Sequence, residues 1–450
     1  MKWDLGPNGN RREFLGAVGL GLAALLGGAV LAKPAPAQQA DKRKSGLNPA
    51  QARKLRTLLI ELLQYFVDNQ DDSGLMFDRQ RNRGPRKEKV LLSSSATGMG
   101  LIALALASHP EIGLLTRTEA ERRITRALER ALKLPQVNGM VAHFFENDHQ
   151  PLAKDDAIAT IDSAWLVAGA LWVAAYFNSA KLGALARELY ERIDWLLWTT
   201  REDKEFPDLL HHGMTAEGKL LPTRWDRLNA ESAFMYLIAM GSCAAKNISK
   251  EVWKQLKPHW HVLVGQKVAS ADLGLFALRW SLELFDFGPY FFGEGVNLVH
   301  EGRLGALLNY QLCRSLRDEY QTFKYFWGLS AGDGPDTKEE EGKYREYSPQ
   351  CIDGTANIES TLLTLDSGVD EVFENLEAAD SGKFGEIHGR YGYSSVNLHR
   401  KYISPDVIAT DVAAAAFAIF NQLFDGLVRA VFARVPCVLL ASESMRGYRR

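Results

Sequence analysis

Apolar positions recur at helical spacing along nearly the whole chain. Leu55, Leu58, Leu59, Leu62, Leu63 and Phe66 repeat every three to four residues on one face. Asn48-Pro49 ahead of them reads as an N-cap with proline at the first helical position. Thr118 and Glu121 have the spacing of a capping box before Ile124, Leu128 and Leu132. Further helical patterns run near residues 95–107, 161–177, 182–197, 231–240, 303–323 and 411–432. Hairpin signals are few and no strand–helix alternation recurs, so the pattern predicts an all-α fold.

Some of these helices have no polar face. Residues 164–176 and 413–424 are apolar nearly all round, and such helices must be covered on both sides. A double-layered toroid, with an inner ring of helices inside an outer one, provides that cover. An irregular bundle or superhelix is the competing architecture. The run 336–347, with Glu339-Glu340-Glu341, reads as a solvated surface loop.

The N-terminus changes the picture of where the domain begins. Asn10-Arg11-Arg12-Glu13-Phe14-Leu15 has the form of a twin-arginine export signal, followed by an apolar run over 16–32 and an A-x-A-like site at Ala35-Pro36-Ala37. The expected organisation is a signal peptide over 1–37, a linker over 38–46 and one domain over 47–450. The expected location is periplasmic or secreted, with the twin-arginine machinery as a partner and no stable membrane span after cleavage. A net charge of −2 gives no electrostatic case for nucleic acid or anionic membranes. Cys243, Cys313, Cys351 and Cys437 form no C-x-x-C pair. Twin-arginine cargo folds in a reducing compartment before export, so buried free thiols are expected. Ten tryptophans supply flat surfaces of the kind that stack on sugars, although any single one is more often core.

Candidate chemistry starts with a formal G-x-S-x-G at Gly328-Leu329-Ser330-Ala331-Gly332. A nucleophile elbow needs a strand before its serine and a helix straight after it. Asp333-Gly334-Pro335 follows instead, a turn sequence that stops a helix early. The more useful groups are carboxylates next to apolar runs, where desolvation tunes a pKa: Asp162, Glu231, Asp333 and Asp411. Their bland readings are an N-cap for Asp162 and Asp411, dipole placement at a helix start for Glu231, and an ordered connection for Asp333. His259-Trp260-His261 and His211-His212 lack a third ligand at a recognisable spacing, so no metal is expected. Without a P-loop or a G-x-G-x-x-G, no cofactor is expected either.

Several segments together resemble the glucoamylase-like (glycoamylase) family, which includes bacterial endo-β-1,2-glucanases and a domain of cyclic β-1,2-glucan synthases. The resemblance is carried by Gly74-Leu75-Met76-Phe77-Asp78-Arg79, Ser95-Ala96-Thr97-Gly98-Met99-Gly100-Leu101, His143-Phe144, Ile161-Asp162-Ser163-Ala164, Trp225-Asp226 through Glu231, Tyr236 through Ser242, Trp327 through Pro335, Asp353-Gly354-Thr355 and Gly389-Arg390-Tyr391-Gly392-Tyr393. It implies an (α/α)6 toroid and inverting hydrolysis of a β-glucan oligo- or polysaccharide. That chemistry sets a protonated carboxylic acid and an ionised carboxylate roughly 6.5–9.5 Å apart across the sugar. By position in the W-D-x-x-x-x-E segment, the resemblance makes Glu231 the general acid. It leaves Asp162 and Asp411 as candidates for the base or for orienting the water. Asp226, Asp333, Arg79 and His143 would line sugar subsites, with Trp225 and Trp327 as stacking surfaces.

The chain departs from the family pattern at several points. Leu278-Arg279-Trp280-Ser281 stands for H-Q-Y-S, Gly213-Met214 for G-W, and Ala157 for an acidic residue before Asp162. Around Asp411 the family's Gln, Gly, Pro and Glu are replaced. The readings to be separated are therefore a glycoside hydrolase, an inactive glycan-binding or envelope-polysaccharide assembly toroid, a polysaccharide lyase, and a serine hydrolase using Ser330.

Overall fold

Asn48 caps the first helix as its side chain allows. Its Oδ1 accepts from the backbone N–H groups of Ala50 and Gln51, and Gln51 Oε1 accepts from the Asn48 N–H, each at 2.9 Å. Helix α1 then runs Pro49–Asp68, with its leucines and Phe66 buried on one face. The computed structural model describes residues 46–146, 148–151, 157–243, 245–335 and 343–450. The signal peptide expected over 1–37 and all but the last residue of the linker expected over 38–46 lie outside the described residues.

The remaining helices are α2 Ser94–Ala107, α3 Arg117–Ala131, α4 Thr160–Phe177, α5 Ala180–Glu191, α6 Ala233–Met240, α7 Val252–Gln255, α8 Leu275–Leu284, α9 Leu298–Ser315, α10 Ile358–Thr361, α11 Val369–Asp380, α12 Ala409–Leu423, α13 Leu427–Phe432 and α14 Pro436–Ser444. Six of them form the inner ring. Helix α2 packs on α4, α4 on α6, α6 on α8, α8 on α10, α10 on α12, and α12 back on α2. Outside them, α1 lies on α12 and α2, α3 on α2, α5 on α4, α14 on α6, α9 on α8 and α11 on α10. This is the (α/α)6 toroid. Among the inner members, every residue of α2 and α6 is buried and most of α12, while α8 and α10 bury Arg279, Glu283 and Glu359 as well. Outer α3 buries only Ala120, Ile124, Ala127, Leu128 and Ala131.

The tightest inner contact is between α2 and α4. A Cβ on Gly169 would lie 2.0 Å from the Gly98 carbonyl oxygen, and one on Gly98 would lie 2.2 Å from that of Trp165. Helix α4 has the length and apolarity of a membrane span. Most of it is nonetheless buried between its neighbours, which is where a core helix acquires the same composition.

Several boundaries differ from the periodic pattern. Helix α3 is capped by Thr116, whose Oγ1 accepts from the Glu119 N–H at 3.2 Å, so Thr118 is inside the helix. The pattern over 182–197 breaks after α5 into a separate 3-10 turn, Trp195–Trp198. That over 411–432 breaks where Asp425 and Gly426 take positive φ (50° and 73°). Of the run 336–347, residues 336–342 with Glu339-Glu340-Glu341 lie outside the described residues. Lys343–Glu346 is a strand paired antiparallel with Ala331–Gly334 in place of a loop, with residues 344–346 exposed as expected and Tyr347 buried. All four cysteines are free thiols; Cys313 and Cys437 are buried as expected, whereas Cys243 and Cys351 are exposed.

Candidate active site

The inner helices bring their N-terminal ends to one set of acidic groups. Asp162 is the third residue of α4 and Asp411 the third of α12, so neither caps its helix; the cap positions belong to Ala159 and Ile408. Glu359 is the second residue of α10, whose cap is Asn357. Glu231 lies two residues ahead of α6. An Asn229 turn holds it there, Oδ1 accepting from the Glu231 N–H at 3.1 Å. Ser281 of α8 fixes the same segment by donating its N–H to the Ala230 carbonyl at 2.7 Å.

Loops between the helices complete the set. Arg79 Nη1 donates to both carboxylate oxygens of Asp333 at 3.0 Å, and its Nε lies 3.1 Å from Asp78. His143 Nε2 is 3.3 Å from Asp162 Oδ1, with its ring stacked on Phe144. Asn357 donates to Asp411 Oδ2 at 3.0 Å and to the Ala331 carbonyl at 2.7 Å. One small cavity is walled by Asp333, Asn357, Glu359, Tyr393, Asp406 and Asp411.

Desolvation dominates the electrostatics. Loss of water pushes Glu231 up to about 8, helped by the negative charges of Glu346 and Asp162 and opposed by Arg227. Burial pushes Asp411 up to about 7, although the Asn357 hydrogen bond pulls the other way. A helix N-terminus favours a carboxylate by only ~0.3–1 kcal/mol, too little to reverse this. Burial also raises Asp333, partly offset by Arg79. Glu359 is raised well above its ordinary value by burial and by Asp411, and its Oε1 has no hydrogen-bond partner among the described residues. Glu231 and Asp411 are thus two carboxyl groups held near the neutral range, suited to giving and taking protons at one bound molecule.

These contacts bring together most of the residues singled out in the sequence. Asp162 and His143 lie beside Glu231, and Arg79 and Asp333 beside Asp411. Trp225 is half-buried near the start of α4, its Nε1 donating to Thr160 Oγ1 at 3.0 Å and its ring tilted on His212. Asp226 is more peripheral, 42% exposed, with Arg224 3.9 Å away.

Trp327 is a correction. It is only 1% exposed, donates Nε1 to the Glu371 carbonyl of outer helix α11 at 2.8 Å, and packs edge-on against Tyr310 of α9. It ties the two helical layers together and has no free face for a sugar. Ser330 is likewise fully buried, its Oγ accepting from the Phe276 N–H at 3.1 Å, and a strand follows it, not a helix. The nucleophile elbow is absent. Arg279, at one of the departures from the family pattern, is buried in a salt bridge with Asp366 at 2.6 Å that joins α8 to the segment after α10.

Tyr344, Glu346, Asn357, Glu359 and Asp78 were missed in the sequence. Asp78 adjoins Arg79 in a quoted segment, and Asn357 opens Asn357-Ile358-Glu359-Ser360, a cap followed by an acid. Nothing local marks Tyr344 or Glu346, which sit at the end of a charged run. Among the described residues, no three His, Cys, Asp or Glu side chains are set to hold a metal ion.

The glycoamylase family model, described as "Putative glucoamylase", matches residues 222–436, and the resemblance read in the sequence stands over that stretch. No curated protein matches the chain. Among solved structures, a "putative glucoamylase from Bacteroides fragilis" is similar with a TM-score of 0.76 at 19% identity, covering 90% of this chain and 99% of that one. An endo-β-1,2-glucanase from Chitinophaga pinensis, in complex with sophorotriose and glucose, has a TM-score of 0.76 at 18% identity over 88% of this chain and 98% of its own. An endo-β-1,2-glucanase from Talaromyces funiculosus with sophorose has a TM-score of 0.59 at 11% identity over 88% and 90%. These likenesses establish the fold.

Proposed function

We propose that this glucoamylase-like toroid is an exported, inverting glycoside hydrolase of a neutral β-linked glucan, with β-1,2-glucan the leading substrate. The observation that carries the reading is Glu231, pushed up to about 8 beside Asp162 and Glu346 and so kept protonated near neutrality. A carboxyl in that state can donate to the leaving glycosidic oxygen. Asp411, at about 7, takes the part of the base: ionised in a large share of molecules at pH 7–8, it accepts a proton from the attacking water. Asp162 then serves to hold Glu231 protonated, with His143 beside it. The endo-β-1,2-glucanases among the structural neighbours support the substrate class.

The surplus of acids in the wall argues against a uronate polymer, because a lyase must neutralise its substrate's carboxylates. The test is a panel of β-glucans assayed for new reducing ends, with the anomer of the first product read by NMR. Release of the inverted anomer by the wild type, and loss of release in Glu231→Gln, are the expected results. A wild type that releases no reducing ends from any β-glucan ends the hydrolase reading.

Ala157 and Leu278, which replace polar groups of the family pattern and are buried, favour a second reading, a glycan-binding toroid without turnover. Binding without release in the same panel would select it. Export is tested separately by replacing Arg11 and Arg12 with lysine and following the protein across the inner membrane.

A further inference from the structure

The two strands Ala331–Gly334 and Lys343–Glu346 place a side chain that the mechanism above does not use. Their register opposes Asp333 to Tyr344 and Ala331 to Glu346. Directly opposed residues of an antiparallel pair share a face, and so do residues two apart on one strand. Asp333, Tyr344 and Glu346 therefore project together from the hairpin. Asp333 is the carboxylate held by Arg79 beside Asp411, and Glu346 is a charge acting on Glu231. Tyr344 stands directly opposite Asp333 and two residues before Glu346, and the charges that act on its phenol are, in order, Asp411, Glu231, Asp78 and Glu346.

On the other face Arg345 opposes Gly332 and Lys343 opposes Gly334, and neither glycine has room for a side chain of its own. A Cβ on Gly334 would lie 1.9 Å from the Tyr347 hydroxyl, and one on Gly332 would lie 2.9 Å from Asn357 Nδ2. The glycines let the strand Ala331–Gly334 lie flush on the toroid, and the register sets Tyr344 on the same face as Asp333. Tyr344 is 48% exposed, the only large aromatic residue among the exposed apolar groups of the described residues. An exposed ring beside these carboxylates offers its apolar face to a ligand. A saccharide suits it, with an apolar C–H face for the ring and hydroxyls for the phenol.

We propose that Tyr344 is a substrate-contacting, specificity-determining residue: its ring packs on the glucosyl unit held between Glu231 and Asp411, and its hydroxyl hydrogen-bonds that unit. The inference rests on the β-glucan reading and deepens it. It divides the work of the hairpin, Asp333 with Arg79 fixing the strand and Tyr344 meeting the sugar.

The experiment is calorimetric titration of β-1,2-gluco-oligosaccharides into Glu231→Gln, alone and combined with Tyr344→Ala or Tyr344→Phe, alongside kcat and KM of the single Tyr344 variants. The expected result is binding weakened about tenfold or more by Ala and less than about threefold by Phe, the size of one lost aromatic contact. KM should rise in Ala at an unchanged melting temperature. Unchanged or tighter binding in Tyr344→Ala overturns the proposal, the tighter case meaning that the ring only obstructs the cleft. A wild type that binds but does not cleave removes the hydrolase reading and leaves the role of Tyr344 standing. Failure of the wild type to cleave the oligosaccharides together with failure of Glu231→Gln to bind them overturns both.

Discussion

Asn357 holds Asp411 by a hydrogen bond from Nδ2 to Oδ2 at 3.0 Å, while burial pushes the same carboxyl up to about 7. The bond favours the ionised form, so the Asn357 amide decides how far down in pH the proposed base stays charged. Replacing it with alanine should move the acid limb of the kcat/KM profile to higher pH by roughly one unit, the worth of one hydrogen bond to a charge. Because Asn357 Oδ1 also caps α10 through the Ser360 N–H, the variant should lose about 1–2 kcal/mol of stability. A limb that stays in place in a folded Asn357→Ala protein would separate Asp411 from the base role.

Glu231 and Asp411 both have folded values above their ordinary 4.5 and 3.8. The folded chain therefore binds protons more tightly than the unfolded chain at these sites. Their stability contribution is fully present below about pH 4 and is lost as pH rises through the folded values near 7 and 8. Glu231→Gln and Asp411→Asn should melt above the wild type at pH 9 and close to it at pH 4, while activity falls ~100-fold or more. Equal melting shifts at both pH values would show that burial of these charges costs the fold nothing.

Arg79 neutralises Asp333, which is buried on the hairpin. Arg79→Ala leaves that carboxylate without its cation and should cost about 3–5 kcal/mol in urea unfolding at pH 7.5. The deficit should shrink toward pH 4, where Asp333 can take a proton. A constant deficit across that range would assign the loss to packing of the arginine stem.

The contact between α2 and α4 gives a prediction of opposite sign at two glycines. Gly169→Ala forces a methyl into the Gly98 carbonyl and should destabilise by about 3 kcal/mol or more. Gly183 of α5 has nothing within 4 Å of its missing Cβ. Gly183→Ala should therefore stabilise by ~0.5–1 kcal/mol, through helix propensity alone. Two-state urea titrations of both variants check the pair.

Much of the helical ring could be read from apolar periodicity because α2, α4, α6 and α12 are apolar nearly all round, and Asn48 announced its own cap. Helices α8 and α10, which bury Arg279, Glu283 and Glu359, gave no such signal. Glu231, Asp162 and Asp411 were visible as acids at the edges of apolar runs, where only a cap, a dipole or a site explains an acid. Trp327 misled because its loop has the look of a sugar-facing turn. Its burial is decided by α9 and α11, which pack on it from elsewhere in the chain. Tyr344 and Glu346 were hidden for the converse reason. A run of charges reads as solvated surface, and only the register with Ala331–Gly334 turns alternate residues toward the acids.

The closure of α12 on α1 and α2 has a consequence for how the chain comes into being. Residues 49–107 are among the first of the domain to be synthesised, yet one side of both their helices is covered only when residues 409–423 arrive. The early helices must wait, with apolar sides open, until almost the last of the message has been read. Contacts so distant in sequence make folding slow and its intermediates sticky. A chain released short of α12 would therefore be a substrate for chaperones and proteases, not a smaller working protein.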